Sequence, residues 1–222
     1  MLLDLIYPPV CGICNEINKK SLCKKCELQL KKNEIYTIQK CEDKNFDYQI
    51  KILKYEETVR HKIIDYKFNE KSYLYKTFAK IILNNEKIYS FLKKYDIMVY
   101  VPMHTKKKLQ RGYNQTELIA KEIAKQLGIK LQKNNLIKIK DTAKQSSLTR
   151  KQRIQNVKGA FAIKDKDVIK NKKVILFDDI YTTGSTVEEC SKVLKTAGAK
   201  EVVVLTLATD WKIFLEFRIT LI

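Results

Sequence analysis

The sequence predicts an α/β fold, a parallel sheet flanked by helices, with a small four-cysteine unit at the N-terminus. Three observations carry that prediction. The apolar runs Ile97–Val101, Val174–Phe177 and Val202–Ala208 have the length and composition of buried strands. Helical segments alternate with them, and the strand–helix–strand order over 174–208 is a βαβ unit, which requires a parallel pair. Two C-x-x-C pairs packed into 16 residues near the start stand outside that alternation. A length of 222 residues accommodates one such domain with an accessory unit.

The cysteines come first along the chain. Cys11, Cys14, Cys23 and Cys26 form two knuckles separated by eight residues, and each knuckle aims two thiolates at one point. Together they complete a tetrahedral sulfur shell that leaves no open position for catalysis. Structural Zn²⁺ is the favoured occupant and an iron–sulfur cluster its main rival. Disulfides fit poorly, because no export signal accompanies the cysteines. Cys41 and Cys190 stand apart and are expected to be ordinary thiols.

The remaining elements follow from periodicity and punctuation. Glu27–Lys32 reads as a short helix and Tyr48–Tyr55 as a strand. Glu57–Tyr66 carries the stripe Val59, Ile63, Tyr66, and Ser72–Leu83 carries Leu74, Phe78, Ile81 and Ile82. Pro102 ends the strand that begins at Ile97. Asn114, with Glu117 three residues on, has a capping-box pattern, and Gly128 stops the helix after Ile119, Ile123 and Leu127. Ser185 with Glu188 has the same pattern before a helix running to Thr196. Segments 1–40, 41–95, 96–208 and 209–222 then divide into a knuckle unit, a connecting hood, the α/β domain and an extension. The extension holds Trp211, Phe214 and Phe217, is too short to span a membrane, and would serve as an edge strand, a core extension or a homodimer contact.

Composition excludes some classes of function. No run approaches 18 apolar residues, so no transmembrane helix is expected, and the opening Met1–Ile6 lacks a signal pattern, so a cytoplasmic protein is expected. The net charge is +19, but 39 of the 44 basic residues are Lys, which reads as compositional bias. Its location says more, because +14 falls within residues 96–173. That stretch is expected to meet an anion.

The chemistry concentrates in Val174–Thr186. Four apolar residues bring the chain to the carboxyl edge of the sheet, where open α/β folds bind ligands. Asp178 and Asp179 stand there, followed by Thr182, Thr183, Gly184, Ser185 and Thr186, a hydroxyl- and amide-rich turn into a helix. Such a turn suits a phosphate dianion, and Gly184 permits close backbone approach. Acids beside a phosphate cradle make sense if they hold the hydroxyls of the sugar that carries the phosphate. The plainer alternative, a helix cap with two acids decorating a turn, leaves the acids after four buried residues without a role.

These residues resemble the phosphoribosyl-pyrophosphate (PRPP) fingerprint of type I phosphoribosyltransferases. The whole chain resembles the ComF family of competence-associated proteins, through four blocks. They are the double C-x-x-C preceded by Tyr7-Pro8-Pro9, the stretch Tyr100–Gln115 ending R-G-Y-N-Q, the pattern Q-x-x-L-x-x-x-x-R-x-x-N-x-x-x-A-F over Gln145–Phe161, and the fingerprint itself. The resemblance implies a type I phosphoribosyltransferase-like sheet over 96–208. It implies that Asp178 and Asp179 meet the ribose hydroxyls, directly or through Mg²⁺, and that Thr182–Thr186 hold the 5′-phosphate. Lys106, Lys107, Lys108 and Arg111 would contact pyrophosphate, and Gln145, Arg150, Arg153 and Asn156 would lie in a mobile loop covering the site. His104, in the pyrophosphate loop, is left without a role. Arg111, Arg150 and Arg153 are three of only five arginines, and all fall in those loops, where bidentate phosphate recognition matters.

Two functions stand. One is Mg²⁺-dependent phosphoribosyl transfer to an unidentified acceptor. The other is a non-catalytic module that senses PRPP or binds single-stranded DNA during DNA uptake. Competence proteins such as a DNA-uptake helicase are the implied partners. Tyr113 is the single aromatic residue among the basic loops that could stack on a base.

Overall fold

The structure is a computed structural model that describes residues 8–106, 109, 113–143 and 148–210. Lys107, Lys108, Arg111 and Gln145, and the extension residues Trp211, Phe214 and Phe217, lie outside the described residues.

The chain enters through the knuckles, where Val10 and Ile17 form an antiparallel bridge, and passes into α1 (Lys24–Leu30). Cys23 caps this helix, its sulfur accepting from the Cys26 amide, so α1 starts earlier than the Glu27 expected from sequence. Next come β1 (Glu34–Lys40) and β2 (Tyr48–Lys54), followed by α2 (Glu57–Phe68), α3 (Leu74–Leu83) and α4 (Glu86–Leu92). The α/β part runs β3 (Ile97–Tyr100), α5 (Gln115–Leu127), β4 (Lys130–Leu131), β5 (Leu136–Lys138), α6 (Arg150–Val157), β6 (Phe161–Ile163), β7 (Lys173–Tyr181), α7 (Ser185–Thr196) and β8 (Glu201–Thr209).

Among the described residues, six strands form one sheet in the order β1-β2-β8-β7-β3-β4, while β5 and β6 pair as a separate antiparallel ribbon. Every pair in the main sheet is parallel except β1–β2, which adds an antiparallel edge. The expected parallel α/β sheet is present, and it is wider than the three apolar runs implied. β2 joins it because Tyr48–Lys54 pairs with Val203–Thr209 of β8.

Strand alternation divides the interior into two cores. Ile175 and Phe177 of β7, Met98 and Tyr100 of β3, and Val203 and Leu205 of β8 pack with the stripes of α2, α3, α4 and α5. Val174, Leu176, Ile97, Val99, Val202 and Val204 pack on the other face against α6, α7 and the β5–β6 ribbon. Central parallel strands are buried on both faces, so they read as continuous apolar runs.

The knuckles belong to the first of these cores: Cys11, Ile13, Leu22, Cys23, Cys26 and Leu30 are buried within it. Their seat is α3. The Thr77 hydroxyl donates to the Ser21 carbonyl at 2.8 Å, the Tyr73 hydroxyl reaches Asn15, and the Asn84 amide donates to Glu27. Gly12 lies so close to Thr77 and Leu74 that a Cβ there would overlap both side chains. Gly12→Ala is therefore expected to destabilise the protein by about 1–3 kcal/mol through overpacking, read as a lowered denaturant midpoint at unchanged slope. An unchanged midpoint would refute this account of the docking.

Candidate functional site

Two crossovers leave the sheet from adjacent strands. β3 passes through α5 to β4 on one side, and β7 passes through α7 to β8 on the other. The carboxyl ends of β3 and β7 flank the crevice between them, the position at which open parallel sheets bind ligands. A cavity of about 720 Å³ lies there. Its floor is Val101–His104 after β3 and Asp178–Val187, which runs from the end of β7 through the turn into α7; its walls are Asn114–Thr116, Lys138, Arg153 and the face of α2 carrying Arg60, Ile64, Lys67 and Phe68.

β7 continues to Tyr181, past the Phe177 at which the apolar run ends, so both acids sit within the strand. Successive residues of a strand point to opposite faces. Asp178 continues the Val174–Leu176 face and feels Lys67 of α2 and, less strongly, Lys138 of β5, whereas Asp179 continues the Ile175–Phe177 face and pairs directly with Lys67. The Lys67 ammonium lies 2.9 Å from Asp179 Oδ1 and 2.8 Å from Oδ2. Asp178 Oδ1 accepts from the Asp179 amide at 2.9 Å. Burial, and then the neighbouring Asp179 carboxylate, push the Asp178 carboxyl up from 3.8 to about 7.

The turn Thr182–Thr186 leads into α7 as expected, but the cap differs. Gly184 is the N-cap residue, in the left-handed region at φ 75°, and no side chain caps the helix. The Ser185–Glu188 capping box does not form. Glu188 instead accepts from the Asn45 backbone and side-chain amides at 3.1 and 2.6 Å, tying α7 to the β1–β2 connection. Gly184 is required twice over, by its φ and because a Cβ would overlap the Tyr181 ring. Tyr181 is itself backed by Lys51, whose ammonium lies 6.0 Å from the ring centroid and is pushed down to about 8 by burial. Thr183 and Ser185 hydroxyls lie 3.0 Å apart.

The second basic loop reaches the same turn. Thr149 and Gln152 form a reciprocal capping box that starts α6, a T-x-x-Q signal present in the sequence but missing from the elements expected there. Arg153 on this helix donates through Nη1 to Thr182 Oγ1 at 3.2 Å and through Nε to the Leu148 carbonyl at 3.0 Å. Arg150 lies one turn earlier, where its charge reaches Tyr181. Asn156 is a clasp: its amide group exchanges two hydrogen bonds with the Ala143 backbone, at 3.0 and 3.1 Å. From the first loop Lys106 is exposed, and His104 lines the cavity with Nδ1 3.7 Å from Asp141 Oδ1.

Sequence reasoning missed Lys67, Arg60 and Lys138. Arg60, Ile64, Lys67 and Phe68 recur at helical spacing, offset by one from the core stripe Val59, Ile63, Tyr66, so a second face was readable. Tyr113 is engaged elsewhere: its hydroxyl donates to the Tyr66 carbonyl at 2.7 Å and its ring packs on Tyr66.

The four knuckle sulfurs lie within 4.8 Å of one another and none is in a disulfide. Cys14 and Cys23 sulfurs are 3.9 Å apart, close to the roughly 3.8 Å edge of a tetrahedron with metal–sulfur bonds of about 2.3 Å. The Cys23 and Cys26 amides point at Cys11 and Cys23 sulfurs, at 3.4 and 3.5 Å. Burial pushes the Cys11 thiol up, but amides from the same loops outweigh it and hold it at about 6. Cys26 is pushed up, by burial and then by the neighbouring sulfurs, the crowding that a cation relieves, so the cluster could hold a tetrahedral metal such as zinc.

Asp178 gives a test of the electrostatics. Its folded-state carboxyl keeps a proton at pH values where the unfolded chain has lost it, so this group's contribution to stability falls as pH rises from about 4 to about 7. Asp178→Asn is expected to raise the thermal midpoint over wild type at pH 8 and to do so less at pH 5. An equal shift at both pH values would contradict the burial argument.

Comparison with known proteins places this geometry. A family profile for the phosphoribosyl transferase domain matches residues 116–211. Competence protein F of Haemophilus influenzae is 30% identical over 210 residues, covering 86% of this chain and 92% of that protein. DNA utilization protein YhgH of Escherichia coli K12 is 25% identical over 209 residues, covering 91% of each chain. Competence protein ComFC of Streptococcus pneumoniae is 31% identical over 151 residues, covering 68% of this chain and 63% of that one. Among solved structures, the glutamine PRPP amidotransferase from B. subtilis aligns at 19% identity with a TM-score of 0.45, over 65% of this chain and 30% of that one. With a phosphoribosyltransferase-type sheet, a preceding four-cysteine unit and these relatives, the chain belongs to the ComF family of competence and DNA-utilization proteins.

Proposed function

We propose that the cavity binds PRPP together with Mg²⁺ and that the knuckles hold structural Zn²⁺. The observation that carries the reading is the convergence, in one cavity, of a glycine-capped hydroxyl turn, two strand-end acids and cations from two other segments. Each part suits one part of the ligand. The turn at the start of α7 takes the 5′-phosphate, since helix N-termini and left-handed turns favour anions. The acidic end of β7, with Asp178 and Asp179, faces the sugar and its hydroxyls. Lys106, Lys107, Lys108 and Arg111 of the first loop receive the pyrophosphate, and Arg150 and Arg153 of the second bring guanidinium groups over the phosphates, with Gln145 in the same loop.

Breaking the bond between C1 and pyrophosphate leaves positive charge on the ribose and negative charge on the leaving group. Mg²⁺, entering with the ligand, would neutralise pyrophosphate oxygens; the oxygen-only acids at the β7 end are donors of the right hardness. The chain's own part is to hold the phosphates with fixed cations and to exclude water by closing the loop that carries α6. The competence and DNA-utilization names of the relatives support a role for the protein in DNA handling. A second reading keeps the PRPP site without turnover, as a sensor or a single-stranded-DNA accessory.

Calorimetric titration tests the reading. Wild-type protein is expected to bind PRPP more tightly with Mg²⁺ than without it, and Gly184→Ala to weaken binding at least about 10-fold by straining the phosphate turn. No heat with wild type, or binding indifferent to Gly184→Ala, would sink the assignment. Release of pyrophosphate with a base or amine acceptor would establish transfer; binding without release, with steeply salt-dependent affinity for single-stranded DNA, would establish the second reading. For the knuckles, metal analysis is expected to find about one equivalent of zinc, lost in Cys14→Ser. Less than about half an equivalent in fresh protein, or iron with labile sulfide, would overturn zinc.

A further inference from the structure

The two acids of β7 are in different situations. Asp179 is 8% exposed, and the Lys67 ammonium engages both of its oxygens, with the side chains of the pair only 20% and 12% exposed. An exposed lysine–carboxylate pair contributes little and exchanges freely; a desolvated one is expensive to break, because removing either partner strands a buried charge. Asp178, on the other face, accepts from the Asp179 amide and feels the charges of Lys67 and, less strongly, Lys138 without the direct pairing that Asp179 has.

Lys67 is also held from behind. The Tyr66 hydroxyl donates to the Gln115 carbonyl at 2.8 Å, the Tyr113 hydroxyl donates to the Tyr66 carbonyl at 2.7 Å, and the Gln115 amide approaches the Lys67 carbonyl at 3.5 Å. The Y-N-Q part of the R-G-Y-N-Q block thus clamps the last turn of α2, where Tyr66 is fully buried. On the same helix Arg60 and Ile64 face the cavity with Lys67. A clamped turn, a bidentate partner and a cavity-lining position are the features of a placed cation rather than of a solvated one.

We propose that Lys67 is a ligand-contacting cation of this site and that Asp179 is the positioning residue that holds it, leaving Asp178 to meet the sugar hydroxyls. The proposal rests on the PRPP reading and divides the work of its two acids. The ligand supplies the matching chemistry, a sugar polyphosphate whose anionic oxygens attract an ammonium that already has two of its three protons directed to a carboxylate.

The test is a double-mutant cycle on the affinity for PRPP with Mg²⁺. Lys67→Met and Asp179→Asn are each expected to weaken binding about 10-fold, and the double variant no more than about 2-fold further, because the two residues act as one unit. Lys67→Arg is expected to retain most of the affinity, which a purely structural role for the lysine would not require. Losses that multiply to about 100-fold in the double variant would make Asp179 an independent sugar contact and overturn the proposal. So would full affinity in Lys67→Met. Wild-type binding itself reports on the PRPP reading, so the two failures are separate. Should wild type not bind, hydrogen exchange still decides: unligated Lys67→Met and Asp179→Asn are expected to lose protection in the last turn of α2 equally, and unchanged protection in either would overturn the tether.

Discussion

A parallel strand buried on both faces cannot end in two carboxylates unless their charge is met by groups brought from elsewhere. That constraint organises the protein. β7 is flanked by β3 and β8 and covered on both sides, so Asp178 and Asp179 emerge from a low-dielectric interior. Strand alternation then presents each face with one acid: Lys67 from the hood helix α2 pairs with Asp179 and also draws on Asp178, to which Lys138 from the β5–β6 ribbon adds a weaker pull. The upward push on Asp178 shows that the compensation is incomplete on that side. A site that stays under-compensated without ligand is one that a ligand's hydroxyls and accompanying cation can complete, and the lost stability is the usual cost of such a site.

The hood must be placed accurately for Lys67 to reach Asp179, and its support runs through the knuckles. α2 rests on α5 through Tyr66, Tyr113 and Gln115, and Tyr66 also packs edge-on against Phe78 of α3. α3 in turn is the seat of the four-cysteine unit, through Thr77 and the close approach of Gly12. Residues 8–33 bury only a few apolar side chains of their own, too few to fold without an added constraint. Four sulfurs gathered within 4.8 Å could hold a metal that supplies that constraint. The four-cysteine unit is therefore linked to the Lys67–Asp179 end of the cavity through packing, from the far side of α3, without contributing a residue to it.

What could be read in the sequence, and what could not, divides along sequence distance. The knuckles, the fingerprint turn, the α5 cap at Asn114 and its stop at Gly128 are local signals, carried by residues a few positions apart, and they are found where they were read. Glu188 misled because its partner is Asn45, 143 positions away, and nothing local distinguishes that bond from a capping box. Lys67 was hidden in the same way: it sits in a helix rich in charge, and only the fold brings it 112 positions along to Asp179. β1 is a partly exposed edge strand whose pattern lacks a clean apolar face, so its pairing with β2, rather than its own periodicity, defines it.

The charge distribution acquires a structural meaning at this point. The +14 carried by residues 96–173 does not coat a single surface. Part of it is brought inward: Lys138 enters at the Asp178 side, and Arg153 reaches Thr182 because the α6 capping box and the Asn156 clasp fix the helix that bears it. Lysine dominates this chain, yet the contact to Thr182 in the turn before α7 is made by arginine, whose rigid fork keeps its direction while one nitrogen is spent on the Leu148 carbonyl. A lysine at 153 would deliver the same charge with a single flexible head and could not make both bonds. The arginine thus stands where one side chain must make two directed bonds, at the junction between the second basic loop and the turn into α7.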